Sequence, residues 1–512
     1  MKLVTVAEMQ AIERESNERG WTYEQMMEKA GQGLAEIVES FYGYEEDRVV
    51  VGLVGSGNNG GDTLIALERL ARNGWKARAY LVRQRMPGEA LQRRVTAAGG
   101  ELMFVEYDAN FHTLDAWLHE ATVLLDGVFG TGIKLPLKGD AARVLGHVKD
   151  FPERPAVVAV DCPSGVDLNS GEAAPEVIPA DLTVCMAAVK TGLLRFPAYH
   201  LKGALEVVDI GLPAGLESWE SIQREVVDEE MVRGLMPERP ADGHKGTFGT
   251  VGVVAGSLNY TGAAYLCSAA AYRIGAGLVQ IAAPAPLHAA LAGQLPEATW
   301  VLLPHEQGAI AEQSIDVLAK HLDRVDIVLW GPGFGVAETT AACVRRLVDR
   351  KGLKGGARRI GFVSTAASVQ AEQAGEDARD PQPMVIDADG LKLLARVEGW
   401  AEKLPKGAVL TPHPGEMAIL TGLNIEEIQA DRLGIAQRYS RQWGHIVVLK
   451  GAATVVAEPG GGLRVIPVAT SALAHAGTGD VLAGMIAGLR AQGAPAFAAA
   501  TAGAWIHAQA GL

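Results

Sequence analysis

The strongest constraint on this chain is a repeated pattern: a short apolar run, a glycine-rich turn, then a helix-forming stretch. Val49–Val54 is wholly apolar apart from one glycine. It ends in Gly55-Ser56-Gly57-Asn58-Asn59-Gly60-Gly61-Asp62 and continues as the helical stretch Leu64–Arg72. Unbroken apolar runs of this length, rather than alternating ones, mark strands buried on both faces. Similar runs follow at Ala77–Val82, Val123–Asp126, Val157–Asp161, Leu182–Ala187 and Leu205–Ile210. Strands that alternate with helices predict a parallel sheet with helices on both faces, the α/β class. Two helices are expected before the first of these strands. Thr5 with Glu8 and Thr22 with Gln25 fit the capping-box spacing.

Between Gly211 and His244 the texture becomes charged, proline-containing and poor in strand signals, as at a domain junction. The alternation then restarts. Strands are expected at Thr250–Ala255, Leu278–Ala283, Asp326–Trp330, Met384–Asp387, Ala408–Thr411, Ile446–Leu449 and Val465–Val468. Helices are expected at Gly262–Ile274, Gly390–Arg396, Gly415–Thr421, Glu426–Gln442 and Gly479–Arg490. The reading is two α/β domains, residues 1–215 and 225–512. Glycine makes up 61 of 512 residues, about 12% against a usual ~7%. Turns and close approach of backbone to ligands account for such a surplus.

Acidic residues outnumber basic ones 60 to 46, a net charge of −14. Such a surface repels phosphate backbones, so nucleic acid is not expected as a partner. An anionic ligand must be held locally, by backbone amides and a few cations. Cys162, Cys185, Cys267 and Cys343 have no C-x-x-C spacing, which argues against a zinc site and suits a reducing, cytoplasmic setting. The first residues lack an apolar signal core. The apolar stretch Ile274–Gly293 is broken by Gln280, Pro284, Pro286 and His288, so no membrane span is expected.

Three turns in the first half place acids and amides after apolar strands: Gly55–Asp62, Asp126–Gly132, and Asp161-Cys162-Pro163-Ser164-Gly165-Val166-Asp167. In a parallel sheet these lie along one edge, where open α/β sheets bind ligands. Gly55, Gly57 and Gly60 spell G-x-G-x-x-G. However, Arg83-Gln84-Arg85 follows the next strand where a dinucleotide oxidoreductase would carry a ribose-binding acid. Together the three turns resemble the NAD(P)H-hydrate epimerase domain, over about Met1 to Leu212. The resemblance implies a Rossmann-like three-layer fold. It also implies that Asn58, Asn59, Gly60, Gly61, Asp62, Gly130, Thr131, Gly132, Ile133, Lys134, Leu135, Pro136 and Asp161 line the hydrated dinucleotide. Asn59, Asp126 and Ser164 would bind potassium, and Asp161 is the candidate acid–base. The family usually has glycine where this chain has Thr63, which bears on the geometry of the turn.

In the second half, Ala474-His475-Ala476-Gly477-Thr478-Gly479-Asp480 precedes a helix. Successive N–H groups at Gly477, Thr478 and Gly479 form an anion hole, and Asp480 can serve as general base toward a hydroxyl. That pairing suits phosphoryl transfer; an ordinary helix with an acid in its first turn is the alternative. No Walker A motif is present. Asp387 and Asp389 read either as magnesium-shell residues or as strand-end caps. His244-Lys245-Gly246, Asn259-Tyr260-Thr261-Gly262-Ala263, Gly331-Pro332-Gly333, Thr411-Pro412-His413-Pro414-Gly415-Glu416 and Gly477-Thr478-Gly479-Asp480 are similar to the NAD(P)H-hydrate dehydratase family of the ribokinase-like superfamily.

That resemblance implies substrate contacts from Ala263, Gly333, His413 and Asp480. It implies adenine-nucleotide contacts from Lys450, Gly451, Ala452, Ala453, Thr454 and Gly479. Magnesium would accompany ADP, with Asp480 catalytic. The implied function is repair of hydrated NADH and NADPH: the R and S forms are interconverted, and the S form is dehydrated with ADP to give AMP and phosphate. A homo-oligomer is expected. The rival readings are a small-molecule kinase of the ribokinase superfamily, a dinucleotide oxidoreductase and a nucleotide-sensing module.

Overall fold

A computed structural model describes residues 1–44, 47–82, 89–322, 324–349 and 382–512. The Arg83–Arg85 segment lies outside the described residues. The chain divides into two compact units, Met1–Val226 and Val227–Leu512.

In the first unit seven strands form one wholly parallel sheet. Across the sheet they run Glu101–Phe104, Lys76–Leu81, Val49–Val54, Val123–Gly127, Ala156–Val160, Leu182–Met186 and Ala204–Val208. The chain winds outward from Val49–Val54 in one direction, then crosses to Val123–Gly127 and winds out in the other. The carboxyl ends of these two neighbours border the crevice such a reversal leaves. Every residue of Val49–Val54 is buried, as its unbroken apolar run requires. The two opening helices are Val6–Glu18 and Tyr23–Tyr42, and both carry the expected capping boxes. Leu3–Val4 pairs in parallel with Val189–Lys190.

The first unit runs past the expected limit of 215. Leu216 and Ile222 are buried in its core, and Val226 N donates to Met1 O. The 211–244 segment, poor in strand signals, nonetheless contains a strand at Arg224–Val226. It also holds a helix at Glu229–Leu235, capped by Asp228. Edge strand Glu101–Phe104 escaped sequence reading because it is only partly buried and begins with a charge.

Within the second unit the described strands order as Leu463–Val465, Val455–Ala457, Ile446–Leu449, Val409–Leu410, Met384–Ile386, Ile327–Trp330, Thr250–Val254, Leu278–Pro284 and Thr299–Leu303. Ile446–Leu449 through Thr299–Leu303 are parallel, and the first two close one edge antiparallel. Here the winding reverses between Thr250–Val254 and Ile327–Trp330. The strand expected at Val465–Val468 is instead Leu463–Val465, one arm of that edge hairpin. The helix expected at Glu426–Gln442 is two helices, Ile425–Ala430 and Arg432–Trp443. Asp431 divides them: it leaves helical geometry at φ −138 and accepts from Gly434 N as a new cap. No helix among the described residues is long and apolar enough to cross a membrane.

Candidate functional site

In the first unit the three turns meet. Asn58–Asp62 forms not an open loop but the first turn of helix Asn58–Arg72. Asn59 is buried there, and its Nδ2 donates to Phe129 O at 3.1 Å and to Val160 O at 2.5 Å. Ser164 N donates to Asp126 Oδ2 at 2.7 Å, and Phe129 N donates to Ser164 Oγ at 2.8 Å. Asn59, Asp126 and Ser164 therefore surround the Val128–Phe129 turn, drawn from three strand ends. Gly130 packs so closely here that a Cβ would stand 2.3 Å from Asn59 Oδ1. Thr131–Pro136 continues as a partly exposed connection to helix Gly139–Lys149.

Asp126 is fully withdrawn from water. Burial pushes its carboxyl up to about 6, against bonds from Ser164 and Val128 that pull it down. Its Oδ1 has no hydrogen-bond partner among the described residues. Thr63 does not face the crevice. Its hydroxyl donates to Asn59 O at 2.7 Å, and its side chain packs against Gly52 and Gly127. Thr63 therefore takes part in strand packing.

Asp161 is almost fully buried and takes the left-handed backbone conformation, φ 65. Its Oδ1 accepts from Met186 N at 3.0 Å and from Lys190 Nζ.

In the second unit a line of contacts joins the motifs. A Cβ on Gly333 would meet Ala263 Cβ at 2.6 Å, so these two sit face to face. The Gly331 turn packs against Asp387 and Gly390, and Gly335 N donates to Asp389 Oδ2 at 2.9 Å. Asp387 Oδ1 accepts from Lys450 Nζ at 2.6 Å and from Thr411 Oγ1 at 2.7 Å. Lys450 Nζ in turn stands 3.3 Å from where a Gly479 Cβ would be. A cavity of about 400 Å³ lies beside this line. Its lining includes His413, Lys450, Gly451, Ala452, Thr454, Thr478 and Gly479.

Gly477 takes a left-handed conformation, φ 94, and opens helix Thr478–Ala491 with Asp480 in its first turn. Desolvation pushes the Asp480 carboxyl up to about 6; Asp387 pushes the same way, and Lys450 pulls it down. A carboxylate poised near that value suits a general base at neutral pH. Lys450 remains a cation because Asp387 and Glu416 outweigh the cost of burying it. The Lys450–Thr454 turn is closed by Thr454 Oγ1 donating to Gly451 O at 2.9 Å, while Ala453 tucks inward. His413 caps helix Pro414–Thr421: its Nδ1 accepts from Gly415 N and Glu416 N, and half its side chain stays exposed.

Family models match residues 251–353 and 361–512 as NAD(P)H-hydrate dehydratase, and residues 23–192 as YjeF-related protein N-terminus. The bifunctional NAD(P)H-hydrate repair enzyme Nnr of Moorella thermoacetica is 35% identical over 518 residues, covering 100% of this chain and 92% of the relative. The chain belongs to the bifunctional NAD(P)H-hydrate repair enzyme family.

The Escherichia coli repair enzyme is 31% identical over 493 residues, covering 95% of this chain and 84% of that one. Among solved structures, the ADP/ATP-dependent NAD(P)H-hydrate dehydratase from Bacillus subtilis co-crystallized with ATP/Mg2+ is 29% identical. It covers 56% of this chain and 87% of that chain, at a TM-score of 0.44. The two matched models fall one in each compact unit.

Two charged residues of this chain were missed from sequence. Lys190 sits in no glycine cluster, so only its pairing with Asp161 reveals it. Arg432 begins a helix distant in sequence from the 450–454 turn, yet its guanidinium donates to Leu449 O at 2.9 Å and Lys450 O at 3.3 Å.

Proposed function

We propose that this chain repairs hydrated NADH and NADPH by two reactions, one in each unit. The observation that carries the reading is Asp480: a half-buried carboxyl, pushed up to about 6, in the first turn of a helix, beside a half-buried Lys450 and a cavity.

In the second unit, Ala263, Gly333 and His413 would hold the S form of the hydrate with its ring hydroxyl toward Asp480. Lys450–Thr454 and Gly479 would bind the diphosphate of ADP. Asp480 takes the hydroxyl proton as oxygen attacks the terminal phosphorus of ADP, and AMP leaves. N–H groups of Gly477, Thr478 and Gly479 offset charge on the transferring group. The ring nitrogen's electron pair then expels phosphate, and loss of a ring proton restores the reduced nicotinamide. The donor set fits magnesium. Asp387 Oδ2 is buried without a hydrogen-bond partner among the described residues, and the Asp387, Asp389 and Glu416 carboxylates all act electrostatically on Asp480. When bound, magnesium draws charge from the diphosphate.

In the first unit, Asn58–Asp62 and Gly130–Pro136 would hold either epimer, with Asp161 as acid–base. The unpartnered Oδ1 of Asp126, with Asn59 and Ser164 beside it, fits a monovalent cation such as potassium. When bound, that ion supplies positive charge beside a buried carboxylate and an anionic ligand.

The test is to give purified protein a mixture of R and S hydrates, with and without ADP. Full recovery of reduced nicotinamide, with one AMP and one phosphate per molecule, is expected only with ADP. A stable phosphorylated product without recovered absorbance would replace this reading with a small-molecule kinase.

A further inference from the structure

Lys190 is among the largest fully buried side chains of the chain, 1% exposed. Its place is set by the parallel pairing of Val4 with Lys190. Nζ donates to Asp161 Oδ1 and to Met186 O at 2.9 Å, and Met186 N donates to the same Asp161 oxygen. Asp161 adopts its left-handed backbone at the end of strand Ala156–Val160. For a residue with a Cβ this conformation is strained, and such residues cluster at functional sites. One residue earlier, Val160 O accepts from Asn59 Nδ2. The ion pair thus lies directly against the proposed epimerase site.

As structural cement the pair is a poor choice. Removing two charges from water is costly, and apolar side chains of similar volume commonly do as well. A buried pair set against the site points to a role in chemistry. Glu13, on helix Val6–Glu18, faces both partners: Lys190 stabilises its ionised form and Asp161 opposes it. Cys162 and Cys185 act on Lys190 directly, and Asp126 and Lys202 act on those two thiols.

We propose that Lys190 is the positioning residue of epimerisation: it pins one oxygen of the Asp161 carboxyl group and leaves the other to work on the hydrate. This rests on the reading of Asp161 as the acid–base. The hydroxyl proton passes to Asp161 while the ring carbon–nitrogen bond breaks. That bond's electron pair moves onto the nitrogen, which is conjugated with the carboxamide. The resulting aldehyde presents its other face, nitrogen re-attacks, and Asp161 returns the proton to oxygen. Atoms and charge balance without an oxidant, reductant or co-reactant.

The experiment measures conversion of R to S hydrate between about pH 5.5 and about pH 9. Thermal melting of the first unit serves as the folding control, the dehydratase activity of the same preparation normalises the amount of protein, and the rate without protein is subtracted. Lys190→Met is expected to lose epimerase turnover at least about tenfold at low pH, with the loss shrinking as pH rises, because an unpaired buried carboxyl titrates higher. Lys190→Arg is expected to keep the wild-type acidic limb and KM, with lower kcat from a displaced carboxylate. A loss by one constant factor at every pH, or no loss, overturns the proposal. If the first unit of Lys190→Met does not fold, Lys190→Arg decides alone: unchanged kcat overturns the proposal. Full epimerase activity in Asp161→Asn would instead overturn the acid–base reading itself.

Discussion

Lys450 Nζ sits 2.6 Å from Asp387 Oδ1 and 3.8 Å from Glu416 Oε2, one ammonium between two buried carboxylates. The same ammonium lowers the carboxyl of Asp480, which burial and Asp387 push up to about 6. A base works only when ionised, so dehydration should fall as pH drops through about 6. In Lys450→Met that limb should move to higher pH, and turnover at neutral pH should fall at least about tenfold. A pH–rate profile of kcat under saturating ADP checks this; an unmoved limb would separate Lys450 from Asp480.

Asp480→Asn keeps the shape of the first helical turn and removes the base. Dehydration should drop by about 10²–10⁴, the usual contribution of such a group, while epimerisation continues at its full rate. Both can be followed in one preparation by resolving R and S hydrates chromatographically. Near-normal dehydration would remove Asp480 from its role.

For Asp126 the sign follows from its raised folded value. A carboxyl at about 6 when folded, against 3.8 ordinarily, gives stability that is full below the ordinary value and lost as pH rises through about 6. The loss is up to about 3 kcal/mol if nothing neutralises the charge. Melting of the first unit in potassium-free buffer should therefore be lower at neutral pH than near pH 5, and potassium should restore it. Asp126→Ala should lower epimerase activity and abolish both the potassium response and this pH step.

Gly333→Ala tests the substrate contacts proposed for the second unit. The new Cβ meets Ala263 Cβ at 2.6 Å and Tyr260 O at 2.9 Å, at a backbone φ of 67. Steady-state kinetics should give a raised KM for the hydrate and about 1–3 kcal/mol lower stability of the second unit. Epimerisation should be unaltered.

Much of this architecture was legible because its signals are local. Val49–Val54 declares itself by being apolar throughout, and Thr5–Glu8 by four consecutive residues. Strand ends followed by glycine, amides and acids announce their own position once the sheet is parallel. Illegible were features set by distant partners. Asp431 divides a helix that is periodic on either side of it. Glu101–Phe104 forms a strand by completing the hydrogen bonds of Lys76–Leu81. Lys190 reads as one lysine among many until the fold buries it against Asp161, and Asp126 shows its orphaned oxygen only in three dimensions. His413 shows the converse: a residue singled out for ligand binding also caps its own helix.

Thr63 fills the space that Gly52 and Gly127 leave open, and a Cβ on Gly127 would fall 1.8 Å from the Thr63 hydroxyl oxygen. Position 127 therefore accepts no side chain while threonine stands at 63, and removing the threonine would not by itself free it, because Asn59 O would still lie 3.2 Å from the new Cβ. The threonine thus acts as a wedge that spaces the first helical turn from two neighbouring strands, and a change at any one of the three positions must be answered at the others.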